Sequence, residues 1–346
     1  MNLAKSVMLA LRGESLKTTP FTTYDLFFSQ SEQERNMRNR GLCFVRPQPS
    51  YRLDFPTRKM IHYREDGRDF IKTIFDTPYG ELSTLSEKIE TSSTNWNLDY
   101  IFKSPDDYKK MKWLIESAVI SPNYEYVAKM VEHCGDDFII RDGFPLEPLQ
   151  HLISSNYMDM TDFCTEWMEN RDEIIKLYDA FVSMNRKTYP IVANSPLLIA
   201  NYGGNVIPQI IGSEVFEQMY MPHYEEAAEH MHKAGKLIGC HLDADNRPIM
   251  DLIAKTSLDY IEAYDPGISP SVSVAIECFG DKAIWINWPS AWHLSTREEA
   301  ASKTIQLITE TNGFPKFLIA VTEDIPPDNQ FAIMHGILDG IEESHS

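Results

Sequence analysis

The chain has 346 residues, 43% of them hydrophobic and 24% charged, so a folded globular protein with a sizeable core is expected and wholesale disorder is excluded. With 32 Lys and Arg against 51 Asp and Glu, the net charge is −19. Such a balance argues against a nucleic-acid or anionic-membrane partner, because binding phosphates needs a basic face.

In chain order, residues 2–12 have helical apolar spacing (Leu3, Val7, Met8, Leu11) and stop at Gly13, a left-handed terminator. The same opening stretch is broken by Arg12 and Glu14 and does not read as a signal peptide. TTPFTTYDLFF (18–28) and GLCFV (41–45) read as two short strands. Residues 46–105 are irregular and aromatic, an excursion of small hairpins expected to pack beside the main body. A capped helix follows at SPDDYKKMKWLIESA, with Ser104 ahead of Pro105 and two Asp in the first turn. Apolar runs then recur at 138–142, 196–202, 235–243, 257–266, 282–289 and 316–324, with amphipathic segments such as 213–235 between most of them. Runs that are apolar throughout suit strands covered on both faces. Together with the two early strands they number eight, and one (β/α)8 TIM barrel spanning 1–346 is predicted. No phosphate-binding glycine loop follows an early strand, which weighs against a doubly wound sheet.

The five cysteines (Cys43, Cys134, Cys164, Cys240, Cys278) are odd in number, widely spaced and without a CxxC, unlike a disulfide framework or a cysteine-rich zinc module. No run of 18 apolar residues occurs, so a cytoplasmic protein with reduced thiols is expected. The three histidines of the 213–235 segment, His223, His230 and His232, read as surface residues, since offsets of seven and two do not share a metal within one helix. No GxSxG motif supports a serine hydrolase.

In such a barrel the working residues stand at the C-terminal ends of strands. Those ends read Asp25, Arg46, Arg141 with Asp142, Asn201 with Tyr202, His241 with Asp243, Glu262 with Tyr264, Asn287 with Trp288, and Glu323 with Asp324. A crown so rich in carboxylates and aromatics predicts a small-molecule pocket. His241 and Asp243 lie two apart on one strand and point the same way. With Glu262 and Glu323 they are able to form a tetrahedral N/O site for a divalent metal. The alternative is a hydrogen-bonded barrel histidine that orients a carboxylate.

Several of these segments also carry a family resemblance. MLALRGESLKTTPF, IFKSPDDYKKM, YMPHYEEAAEHMHKAGKLIGCHLD and TEDIPPDN resemble the uroporphyrinogen decarboxylase superfamily over nearly the whole chain, most weakly over 46–95. The resemblance implies a single barrel with its cleft at the strand C-termini. True decarboxylases of this superfamily carry an arginine-rich segment after the first strand, where this chain reads TTYDLFFSQSEQ. The other branch is the corrinoid-dependent methyltransferases, whose thiol-activating members use a His-x-Cys pair and a distant Cys. Here His241-x-Asp243 and Glu323 stand at those places. IEAYDP, WINWPSAWHL and TEDIPPDN are most similar to the first methyltransferase of anaerobic O-demethylase systems. That group's Glu–Glu–His zinc pattern matches the interval of Glu262 and Glu277, with His293 following.

The resemblance implies a zinc-dependent enzyme that moves a methyl group from a small methylated donor, such as a phenyl methyl ether, to the cobalt of a corrinoid-binding partner protein. His241, Glu262 and Glu323 would be catalytic. The metal would be held by His241, Asp243, Glu262 and Glu323, with His293 in reserve. Tyr202, Tyr264, Trp288 and Trp292 would wall an aromatic ring, and Asp142, Asn201 and Asn287 would hold its polar substituents. A decarboxylase of another small acid, and a non-catalytic corrinoid or small-molecule binder, remain as alternatives.

Overall fold

The computed structural model describes residues 2–89 and 95–346. The chain divides into two compact units, Met1–Gln48 with Glu125–Gly143 and Pro196–Ser346, and Pro49–Tyr124 with Phe144–Ser195.

The first unit is a closed barrel of eight parallel strands: β1 (Phe21–Tyr24), β2 (Leu42–Pro47), and six more described below. The second unit supplies β3 (Tyr51–Asp54), β4 (Arg58–Glu65), β5 (Arg68–Thr77), β6 (Gly80–Lys88), β7 (Asn95–Asp99) and β8 (Val119–Pro122). The barrel continues through β9 (Phe138–Gly143), β10 (Ile199–Tyr202), β11 (Leu237–His241), β12 (Tyr260–Tyr264), β13 (Ala283–Asn287) and β14 (Phe317–Val321). Strand β14 pairs with β1, and β2 pairs with both β1 and β9, which closes the ring. Each barrel strand coincides with one of the eight predicted runs, β2 and β9 extending past theirs to Pro47 and Gly143, because a strand covered on both faces is apolar throughout.

Side chains alternate between the barrel interior and the helix layer. Cys43, Val45, Ile139, Ile199, Tyr260, Ala283, Trp285, Leu318 and Ala320 form one buried cluster inside. The helix Leu3–Arg12 adds Leu3, Val7, Ala10 and Leu11 to the same cluster. These are mostly residues from the early parts of the strands, so this helix seals the N-terminal end of the barrel. Its start is fixed by Asn2, whose side chain accepts from Lys5 N at 2.7 Å, and its end by Gly13 at φ +75°.

The 213–235 segment is two helices, Pro208–Met219 and Met221–Lys233. Pro222 lacks the N–H that a continuous helix would need, so the chain breaks at Tyr220. His223 is buried at 3% exposure, against the surface position expected for it, while His232 meets Asp259 at 2.9 Å.

In the second unit, β4 to β7 form a four-stranded antiparallel sheet and β3 pairs with β8. The predicted helix near 104 begins as a short turn, Pro105–Asp107, and continues as Tyr108–Glu116. Asp107 holds the turn by accepting from Lys103 N at 2.9 Å and Ser104 N at 3.3 Å. Whereas the sequence pattern marks 46–105 alone as an excursion, this unit also takes in 106–124 and 144–195. Residues 90–94 of that excursion lie outside the described residues. Among the described residues, no helix is long and apolar enough to cross a membrane.

One close approach supports a stability test. The helices Arg297–Glu310 and Pro327–Ser344 meet where Gly336 and Gly340 sit against the backbone of Arg297 and Ala301. A Cβ at Gly336 would run into the Arg297 carbonyl oxygen, which is backbone and yields only if the helices separate. Gly336→Ala is therefore expected to destabilise the protein by about 1–3 kcal/mol despite the better helix propensity of Ala. Urea unfolding measures this, and an unchanged midpoint would contradict it.

Candidate metal centre

The C-terminal ends of β1, β9, β10, β11 and β12 converge on Glu262. This carboxylate is 1% exposed and carries four partners. Tyr24 Oη donates to Oε1 at 2.8 Å, Asn201 Nδ2 donates to Oε2 at 2.8 Å, and His241 Nδ1 lies 2.8 Å from Oε2. Arg141 forms a buried ion pair with Oε1. Behind them, Tyr260 Oη donates to Asn201 Oδ1 at 2.8 Å and to the carbonyl of Ala200 at 2.9 Å. The Arg141 guanidinium also lies over the Tyr24 ring, 5.5 Å from its centroid. Hydrogen bonds and the opposite charge of Arg141 together compensate the burial of this carboxylate, which is what a buried charge requires.

The electrostatics follow. Burial opposes the charge on Glu262, but Arg141 and His241 outweigh it and hold its pKa down at about 2. Burial likewise opposes charge on His241, yet the hydrogen bonds and charges of Asp243 and Glu262 raise it to about 10. Burial pushes Tyr24 up, and the Glu262 charge pushes it further, so its hydroxyl stays a donor.

His241 turns its other nitrogen the opposite way, with Nε2 at 3.5 Å from Asp243 Oδ2. One ligand atom each from His241, Asp243 and Glu323 lies within 4.8 Å of the others. Burial and the nearby Asp243 carboxylate both push the Glu323 pKa up, the signature of acids held together at some cost. An imidazole and two carboxylates are an N/O donor set suited to a divalent ion such as zinc. Glu262, on Nδ1, stands where a carboxylate commonly orients a metal-binding histidine. The donor set therefore fits the implied metal, through His241, Asp243 and Glu323.

Glu262 departs from the expected role: its oxygens are taken up by Arg141, Tyr24, Asn201 and His241, and it is not in the three-residue cluster. Glu277 is exposed on the helix Val272–Phe279, outside the barrel interior. His293 is 5% exposed and stacks on Trp288 with ring centroids 6.2 Å apart, and burial lowers its pKa. It does line a cavity of about 400 Å³ beside the cluster, together with Asp243, Asp265, Asn287, Glu323 and Asp324.

Three of the four expected aromatic walls are in the helix layer. Tyr202 packs edge-on against Tyr224, and Trp288 donates from Nε1 to Thr304 Oγ1 at 3.1 Å. Each follows an inward residue, Asn201 or Asn287, so alternation turns it outward. Tyr264 is two positions after Glu262 and would face inward on a regular strand. Ala263 at φ +61° and a register shift against β13 turn it out, onto Phe279. Trp292 stands against Trp288 at 5.4 Å and beneath Lys303.

The polar holders are committed as well. Asn287 donates to Asp265 at 3.2 Å and accepts from Thr322 N at 3.0 Å, while Asn201 holds Glu262. Asp142 accepts from the following Gly143 N at 2.9 Å and lies opposite in phase to the inward Arg141. Tyr24, Arg141 and Tyr260 are the site residues the strand-end reading undervalued. Arg141 stands among the strand ends, and strand alternation separates it from the neighbouring Asp142 as the inward residue of the pair. Gly204 is a further one: a Cβ there would press on the His241 Cβ, so the loop after β10 packs directly over the histidine.

Fold and site together define a (β/α)8 barrel with a histidine–carboxylate centre at its C-terminal mouth. Over 99% of both chains this barrel is similar in structure to a methyltransferase from Methanosarcina mazei, with a TM-score of 0.59 and 11% sequence identity. A B12-independent methionine synthase from a Shewanella species matches more loosely, at a TM-score of 0.44 and 10% identity over 94% of this chain and 97% of that one. At such identities the likeness is one of fold. No protein-family model matches the sequence, and no curated protein does.

Proposed function

We propose that this chain is a zinc-dependent methyltransferase, moving a methyl group from a small methylated donor, a phenyl methyl ether in the first instance, to the cobalt of a corrinoid-binding protein. The observation that carries the reading is the clustering of His241, Asp243 and Glu323 at the barrel mouth, where Asp243 and Glu323 also line the cavity. The fold likeness to a methyltransferase agrees with it, as does the resemblance of IEAYDP, WINWPSAWHL and TEDIPPDN to O-demethylase components. Zinc, held by those three residues, would supply Lewis acidity towards the oxygen of the leaving group.

The chain's own residues orient and insulate. Glu262 fixes the ring plane of His241 through Nδ1, and Arg141, Tyr24 and Asn201 fix Glu262. Asp265 and Asn287 brace each other at the cavity wall, at 3.2 Å. Among the described residues, the side chains lining the cavity are carboxylates, amide, hydroxyl, imidazole and apolar groups, with no thiol to attack a methyl carbon. Cys240 faces the helix layer, 3.6 Å from Tyr224 Oη, so the methyl acceptor must come from outside. It would dock at the mouth, because in-line attack needs close approach to the methyl carbon.

Incubating the protein with zinc, cob(I)alamin and a panel of methoxylated aromatics should convert the cob(I)alamin absorbance to that of methylcobalamin. Carbon dioxide release from a carboxylated substrate, with no change in the cobalt spectrum for any methyl donor, would replace this reading with the decarboxylase. Zinc content, measured independently, reports on the metal centre alone.

A further inference from the structure

Methyl transfer at the barrel makes no use of β4, the outer strand of the four-stranded sheet. All eight of its residues are exposed, including Met60 at 51%, Ile61 at 48% and Tyr63 at 37%. The strand is also regular, pairing with β5 from Arg58 to Glu65 without a register shift. The opposite edge, β7, is shorter and its pairing with β6 is interrupted by a shift. A long, flat edge with apolar side chains and open backbone groups is a template for another strand. Monomeric proteins blunt such edges with charge, and β4 does carry Arg58, Lys59, Arg64 and Glu65. The order of those charges, however, fits self-pairing.

Two copies meeting edge to edge across a two-fold axis must run antiparallel, with the axis perpendicular to the sheet. Each residue then faces one from the same side of the strand. With His62 on the axis, Ile61 stands opposite Tyr63, and Lys59 stands opposite Glu65. On the other face, Met60 lies against the stem of Arg64, and Arg58 faces Asp66 in the turn beyond. Every charged residue thus meets an opposite charge or an apolar neighbour, and each such pair occurs twice. Moving the axis to Ile61 sets Arg58 against Arg64, and moving it to Tyr63 sets Ile61 against Glu65 and His62 against Arg64. Only the His62 register matches charge to charge and apolar to apolar.

We propose that β4 is a dimerisation edge that joins a second copy of this chain through its own β4, continuing the sheet across a two-fold axis at His62. The interface is isologous: Lys59 of each copy reaches Glu65 of the other. Lys59 also touches Asp76 of its own chain at 2.5 Å, so it would bridge two carboxylates.

Light scattering and sedimentation of the full chain test this. The wild type is expected to be a dimer at micromolar concentration. Lys59→Glu and Glu65→Lys should each weaken dimerisation at least about tenfold, since like charges then face one another twice. An equimolar mixture of the two variants should dimerise again, because one chain is acidic and the other basic at both positions. A His62→Cys variant should cross-link to itself under mild oxidation, as opposed residues of antiparallel strands approach within disulfide reach. Ile61→Cys should cross-link far less, being set diagonally from its own copy. A monomeric wild type would overturn the proposal, and so would a dimer indifferent to both charge reversals. Because His62→Cys leaves the charges of the hairpin in place, failure of that variant to cross-link also overturns it, even if the charge variants misfold.

Discussion

Replacing Glu262 with Gln is expected to cost the fold about 3–5 kcal/mol, the largest stability loss of any single change at the barrel mouth. Glutamine keeps the shape of the side chain but removes the charge that compensates Arg141, whose side chain is only 8% exposed. A guanidinium buried to that degree is left without its counter-ion. Pairing Glu262→Gln with Arg141→Met should restore much of the loss, because the double change removes both charges. Urea unfolding of the three variants measures the coupling, and simple additivity would show that the pair does not interact as described.

The same network sets a pH window in metal-stripped protein. Glu262 is lowered from an ordinary value of 4.5 to about 2, so its contribution is complete above 4.5 and is lost as pH falls through 2. His241 is raised from 6.5 to about 10, so its contribution is complete below 6.5 and is lost as pH rises through 10. Stability from this cluster should therefore be flat between about pH 4.5 and 6.5 and decline on both sides. The His241→Ala variant should lose the alkaline arm of that decline.

His241→Ala should also lower zinc affinity by more than about 100-fold, since it removes the one nitrogen donor from a set otherwise made of oxygens. Glu262→Gln should lower it by about 10–100-fold, acting only through the orientation of the imidazole. Glu277→Ala, on an exposed helix position, should leave it unchanged. Chelator competition with purified protein distinguishes the three. Wild-type protein without zinc affinity, or an undiminished affinity in His241→Ala, would remove the metal from the proposed function.

The barrel was legible in the sequence because its strands are covered on both faces and therefore stand out as eight apolar runs. The cluster of His241, Asp243 and Glu323 was legible for a related reason: each is polar at or just beyond the C-terminal end of an apolar run, where a barrel carries its working residues. Tyr202, Tyr264 and Trp288 sit at the same strand ends and were expected beside them. Reaching the strand end does not determine the face, however, and one residue of phase separates the cavity from the helix layer. At Tyr264 even correct phase would mislead, since the left-handed Ala263 resets the alternation and no local pattern announces it. Arg141 was visible as a strand-end residue, but its partner Glu262 lies on a distant strand and only the closed ring brings them together.

That closure has a consequence for how the protein is made. Tyr24 and Glu262 are 238 positions apart, and Thr22 of the first strand receives the indole N–H of Trp285 from the seventh, at 2.9 Å. During synthesis the early strands emerge long before their partners, and β1 has no neighbour on one side until β14 leaves the ribosome. Glu323 follows β14 directly, so the cluster of His241, Asp243 and Glu323 is among the last things to be completed. A nascent chain carrying β1, β2 and β9 alone exposes one unpaired sheet edge on each side and an interior without its later half. Closure of the ring consequently waits on contacts distant in sequence, which slows folding and leaves the sheet edges of a partly made barrel open until the final strand arrives.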